Sequence, residues 1–241
     1  MMQPPRGPRG KPNSPSWLAF LLQSTDSMFP TGAYAHSFGL EGAVQDDVVS
    51  DKDAYSDYLR DWVLPQAIHM ELPVAGFAFD AARAKDIDRL CALDQEYGAM
   101  KATMESRTAS AKIGAQRLSL VSDLFPEPFL AEVDRAKNSG HLVGHEVVIL
   151  GLHCACSSMS RYHTLTAVYY LILSVLTNAI VKLIRIGQTS CQRILARYLK
   201  QTDLVIERAL EVSEDEFGWF TPFTDIASAR HETAYSRLFI S

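Results

Sequence analysis

One run constrains this chain more than any other: Thr164 to Thr189, reading TLTAVYYLILSVLTNAIVKLIRIGQT. Leu165 to Val181 carries no charge, then Lys182 and Arg185 arrive, and Gly187, Gln188 and Thr189 break the pattern. Such a run is either a helix in a large core or a membrane span, for which about 20 apolar residues are wanted. Its polar residues discriminate. Thr166, Tyr170, Ser174, Asn178 and Lys182 recur every four positions, and Arg185 follows at plus three. On a helix they form a thin polar seam along an apolar rod. Lipid has little use for a seam, whereas a core helix can meet other helices or a second subunit along it. The expectation is a central, buried helix and no membrane span.

The remaining segments read as helices around that rod. With 241 residues, 47% hydrophobic, the chain can bury one sizeable core. Residues 1–15 hold five prolines, two glycines and three basic residues, which predicts a disordered tail before a domain over 16–241. Trp17 to Leu22 predicts a short apolar helix. Asp51 to Leu64 has helical periodicity, with Ser50 and Asp53 as a capping box and Pro65 as its kink or end. Further helices are expected over Pro73–Ala84, Asp86–Tyr97, Met100–Leu124, about Phe129–Lys137, Gly144–Ser157 and Gln188–Val212, with a last short one from Thr221-Pro222. Gly114 inside one of them costs about 1 kcal/mol against alanine and suggests a tight helix crossing. No period-two strand stands out. The expected fold is all-α, a single-domain bundle of about ten helices.

Charge and cysteine usage exclude several classes. The net charge is −5, and the basic cluster Arg6, Arg9 and Lys11 lies in the tail, so a broad cationic surface for nucleic acid is not expected. Four cysteines in a chain of this length read as reduced thiols in a cytoplasmic protein. Trp17 to Leu22 is too short for the apolar part of a signal peptide.

Few residues suggest chemistry. There is no P-loop, GxGxxG, GxSxG or HExxH. His141, His145, His153, Cys154 and Cys156 are metal-ligand types, and His141 and His145 would share a face if helical. Yet Cys154 and Cys156 would not share one, so neither a metal site nor a cofactor is expected. A helical metal-binding protein or enzyme using His141, His145, His153 and Cys154 is the rival reading. The segment Thr25 to Glu41 is unusual: Pro30, Thr31 and Gly32 signal a turn, and Tyr34, His36, Ser37 and Glu41 are polar groups among apolar ones. It reads either as a loop packed across the core or as a partner-binding loop. Lys182 and Arg185 either offset the helix dipole or form a positive spot supplemented by Gln188 and Thr189. The tail, with Arg230, His231, Glu232, Tyr235, Arg237, Leu238 and Phe239, mixes charge with aromatic anchors. It reads as a segment ordered by a partner or as a docked last helix.

Five anchors in order resemble the UreF family of urease accessory proteins. They are LLQSTDSMFPTGAYAHSFGLE, SRTASAKIGAQRL, the His145–Gly151 segment, VKLIRIGQTSCQRIL and ARHETAYSRLFIS. The resemblance implies an all-helical homodimer with a non-enzymatic role in inserting nickel into apo-urease. It also implies binding to the accessory protein UreD, also called UreH, through the C-terminal tail, recruitment of the GTPase UreG, and modulation of that GTPase. This chain departs from the family pattern at Arg185 for proline, Ile186 for leucine, Ser190-Cys191 for a small or acidic residue and glycine, and Ile240 for arginine.

Overall fold

The computed structural model describes residues 16–26, 28–231 and 237–240. The expected disordered tail at 1–15 lies outside them. In chain order the elements are α1 (Ser16–Thr25), a 3-10 turn at Ala33–Ala35, α2 (Leu40–Gln45), α3 (Lys52–Tyr58), α4 (Leu64–Gln66) and α5 (Leu72–Ala84). Then come α6 (Ile87–Met100), α7 (Met104–Leu124), α8 (Pro128–Asn138), α9 (Glu146–Cys156), α10 (Arg161–Leu183), α11 (Gln188–Leu199), α12 (Thr202–Glu211) and α13 (Pro222–His231). Among the described residues there is no strand, so the fold is all-α.

Side-chain caps set several starts. Asp86 accepts from Arg89 N, Thr103 from Ser106 N and Ser160 from His163 N. The expected box at Ser50 moves by one residue: Asp51 is the cap, accepting from Asp53 N and Ala54 N.

Two expectations are corrected. Pro65 and Pro73 do not divide the helix that starts at Lys52. The π turns Leu59–Val63 and Ala67–Glu71 precede them, and the rod runs on through α5. A π turn adds one residue to the ring of backbone bonding, which relaxes the clash of a proline ring with the carbonyl four residues back. Conversely, the single helix expected over Gln188–Val212 is two, α11 and α12, meeting at Lys200 and Gln201.

At the centre, α10 lies against α1, α2, α5, α9, α11 and α12. Its inner face, including Leu165, Val168, Tyr169, Leu173, Leu176 and Ile180, is buried. Two polar groups on that face find partners: Tyr169 donates to the Tyr198 carbonyl at 3.0 Å, and Thr177 Oγ1 lies 3.3 Å from the Tyr55 hydroxyl. The seam faces outward instead, with Tyr170, Asn178 and Lys182 exposed and Thr166 and Ser174 half-buried. By length and apolarity α10 could cross a membrane, but 56% of its most apolar window is buried against neighbouring helices.

The tightest crossings use glycine. On α9, a Cβ at Gly151 would lie 2.5 Å from the Ala75 carbonyl oxygen of α5. On α7, a Cβ at Gly114 would lie 2.1 Å from the Gly144 carbonyl oxygen, just before α9. The crossing expected at Gly114 is therefore present.

Candidate functional site

The segment before α2 enters the left-handed region at Gly32 (φ 81°), Phe38 (φ 51°) and Gly39 (φ 87°), the two glycines doing so with no Cβ penalty. Between Gly32 and Phe38, His36 and Ser37 are buried and Tyr34 is exposed; Pro30, just before Gly32, is exposed too. Burial, and then the charge of Lys112, lower the His36 pKa from its ordinary 6.5. The Glu41 N–H donates to Ser37 Oγ at 3.3 Å. Next, α13 fixes α2 from outside: a Cβ at Gly42 would lie 2.7 Å from the Ala227 carbonyl oxygen.

The Glu41 side chain is 4% exposed, and it grips the end of the chain. Its Oε1 accepts from the Leu238 N–H at 2.7 Å, and its Oε2 from the Phe239 N–H at 2.9 Å. The Ile240 N–H then donates to the Ala35 carbonyl at 2.9 Å. Phe239 is buried, and Lys182 Nζ lies 5.3 Å from the centroid of its ring. Thus the loop, the end of α10 and the tail, three separate patches in the sequence, form one surface. Among the described residues, two ion pairs flank it. Arg230 reaches Asp46 at 3.4 Å, and Arg237 reaches Glu105 at 3.6 Å. Leu238, Ile240 and Tyr34 are large apolar side chains left exposed around this clamp.

Other expected site residues fall elsewhere. Gln188 and Thr189 open α11, both exposed, and among the described residues neither is hydrogen-bonded to the strap formed by residues 237–240. His231 closes α13. Glu232 and Tyr235 lie outside the described residues. Sequence reasoning missed Ala35, Asp46 and Glu105 as partners of the tail, and no local pattern marks them.

The rival metal set is dispersed. His141 and His145 precede α9 and are not helical, so they share no helix face. His141 Nδ1 lies 2.8 Å from Ser139 Oγ. His145 is the N-cap residue of α9, its ring set edge-on to Tyr97. His153 is caged by Phe20, Phe29 and Phe125. Burial pushes the Cys154 thiol up to about 12, which removes it as a thiolate ligand or nucleophile near neutral pH. Among the described residues, no group of three His, Cys, Asp or Glu side chains could hold a metal ion. Asp94, unremarked in the sequence, instead shapes this region. Its buried carboxylate accepts from the backbone N–H groups of Val143, Gly144 and His145 at 2.7, 2.9 and 2.7 Å, fixing the entry to α9.

The sequence model of the UreF family matches residues 49–199. The chain belongs to the UreF family of urease accessory proteins. The urease accessory protein UreF of Actinobacillus pleuropneumoniae is 32% identical over 225 residues, spanning 93% of this chain and 99% of its own length. That of Haemophilus influenzae is 32% identical, over 93% of this chain and 95% of its own. The Bacillus relative is 28% identical, over 93% and 99%. Lys182 and Gln188 lie inside the family match. Glu41 and the strap lie outside it, at either end.

Proposed function

We propose that this chain is a non-enzymatic urease maturation factor, a cytoplasmic scaffold and chaperone that supports nickel insertion into apo-urease. It holds a UreD/UreH-type accessory protein and a UreG-type GTPase together and modulates the GTPase. The observation that carries this reading is the clamp of Glu41 on Leu238 and Phe239 beside Lys182. It gathers exposed apolar side chains and a cation on one rigidly backed surface, the mixture favoured at binding hot spots. Pro30, Gly32, Tyr34, His36, Ser37 and Glu41 build one side of that platform. Arg230, Arg237, Leu238 and Phe239 build the other, and Lys182 closes the end. Gln188 and Thr189, on α11, serve a separate partner contact. A second copy of the chain meets the exposed seam of α10.

The test is co-purification of the full chain, and of a variant ending at Ser236, with UreD/UreH, UreG and apo-urease, followed by urease activation. The full chain should capture the complex and activate urease, and the shortened one should lose both. Undiminished capture and activation by the shortened chain would sink the platform. Turnover of a nucleotide or other substrate by the isolated chain would sink the non-enzymatic role.

A further inference from the structure

A chamber of about 170 Å³ lies between α10, the π turns of the long rod, the α6–α7 junction and the start of α13. Its walls are largely apolar, with Trp62, Tyr97, Leu171, Val175 and Trp219 among them. Its charges are unbalanced. Among the described lining residues, Glu71, Glu146 and Asp225 contribute three carboxyls against the ammonium of Lys101, and the buried guanidinium of Arg117, behind the wall, acts on Glu146. That ammonium already has a seat, with Nζ 4.7 Å from the centroid of the Tyr97 ring. Glu71 is 8% exposed; its Oε1 accepts from Gln66 Nε2 at 2.7 Å, and among the described residues its buried Oε2 has no hydrogen-bond partner. A buried acceptor left unpaired is costly, and charged donors pair with it more strongly than neutral ones. Burial also raises the pKa values of Glu71, Glu146 and Asp225 and lowers that of Lys101, as expected in weakly polarisable surroundings.

We propose that this chamber binds a small organic monocation, an ammonium or amidinium carried on one ring or a short apolar chain, anchored by Glu71. The size fits, since a cavity of about 150 Å³ accommodates a benzene ring. The charge fits, because a bound cation brings the carboxyl excess closer to neutrality and gives Glu71 Oε2 its missing donor. The aromatic walls fit, because Trp62, Tyr97 and Trp219 line the chamber and aromatic rings attract cations. An anion would meet three carboxyls, and a neutral ring would leave the free oxygen unpaired. The site uses elements other than the strap.

Calorimetric titration of the full chain with benzylamine, benzyl alcohol and benzoate tests the assignment. Benzylamine should bind saturably, about tenfold or more tighter than either analogue. Glu71→Gln, which keeps the shape, should abolish that preference. Val175→Phe, which fills the chamber from its α10 wall, should abolish binding with an unchanged circular dichroism spectrum, and it serves alone if Glu71→Gln does not fold. Any one of three results overturns the proposal: no saturable benzylamine binding, benzoate or benzyl alcohol binding as tightly, or wild-type affinity in a folded variant.

Discussion

Glu41 and Phe239, 198 residues apart in the sequence, are joined by a 2.9 Å hydrogen bond from the Phe239 N–H to the Glu41 carboxylate. The other oxygen of the same carboxylate takes the Leu238 N–H. Two backbone donors on one buried acceptor tie much of the strap's docking to the geometry of this side chain, beside the Ile240–Ala35 bond and the Arg237–Glu105 pair. Glu41→Gln replaces one acceptor with an NH₂ that faces an N–H. The loss should be about 1–3 kcal/mol of strap docking. Amide exchange at Leu238 and Phe239 should rise about tenfold or more, with little change in the melting of the helical core. Exchange as slow as in the wild type would mean that the strap is held by other contacts.

Lys182 tests the functional half of the same surface. Its side chain is exposed at the end of α10, with Nζ over the Phe239 ring. An exposed cation–π contact contributes about 0.5–1 kcal/mol. Lys182→Ala should therefore leave the fold intact while impairing urease activation in a reconstituted system. Normal activation by the variant would remove Lys182 from the platform.

The sequence made some of this legible and hid the rest. The apolar run and its four-residue seam correctly located α10, since an uncharged stretch has few places to go. Asp86 and Pro222 marked helix starts by ordinary capping chemistry. Pro65 and Pro73 misled, because a proline signals a break and nothing local announces a π turn that absorbs it. The gap between α11 and α12 was invisible for the opposite reason: Lys200 and Gln201 are not breakers. For the site, its pieces were legible as three unusual patches, but their union was not. Joining Glu41 to Leu238 and Phe239 depends on how α2, α10 and α13 pack, and that packing joins residues too far apart for any periodicity to show.

Gly114 reports on the backbone geometry that sets α9 against α7. Any side chain there meets backbone, with the Gly144 carbonyl oxygen only 2.1 Å from an added Cβ. Backbone yields less readily than the end of a flexible side chain. Alanine has the better intrinsic helix propensity by about 1 kcal/mol, but the overlap should outweigh it. Gly114→Ala is expected to destabilise by about 3 kcal/mol or more in urea unfolding. A stabilised variant would mean that α7 and the start of α9 can part at little cost.

Acid should weaken the fold through its buried histidines. Burial, reinforced by the nearby positive charge of Arg117, holds the His153 pKa well below 6.5. Below about pH 6.5 the unfolded chain protonates this residue while the folded chain does not, so stability falls as pH falls. His36 and His145, also lowered, act in the same direction. Glu71 and Glu146 oppose them, because burial raises their pKa values and the folded chain takes up their protons first. Comparing His153→Leu with the wild type isolates one residue from this sum. Between about pH 6.5 and pH 5.5 the stability difference should move in the variant's favour by up to about 1 kcal/mol. Parallel unfolding curves at both pH values would contradict a neutral, buried His153.

The seam of α10 carries the expectation of a second copy. Ser174 is half-buried at its middle, between exposed Tyr170 and Asn178, with the apolar side chains of Leu171 and Val175 alongside. A single chain can accommodate Ser174→Arg, because the long side chain can lay its stem on the helix and hold its charge in water. Two copies meeting along this face cannot do so as easily, since a two-fold contact sets the same patch on both sides and would bury both new cations. Light scattering after size exclusion should therefore find the wild type as a dimer and Ser174→Arg as a monomer. The monomer's melting temperature should fall only by what the lost association contributed. A Ser174→Arg dimer with undiminished affinity would place the contact between copies on some face other than α10.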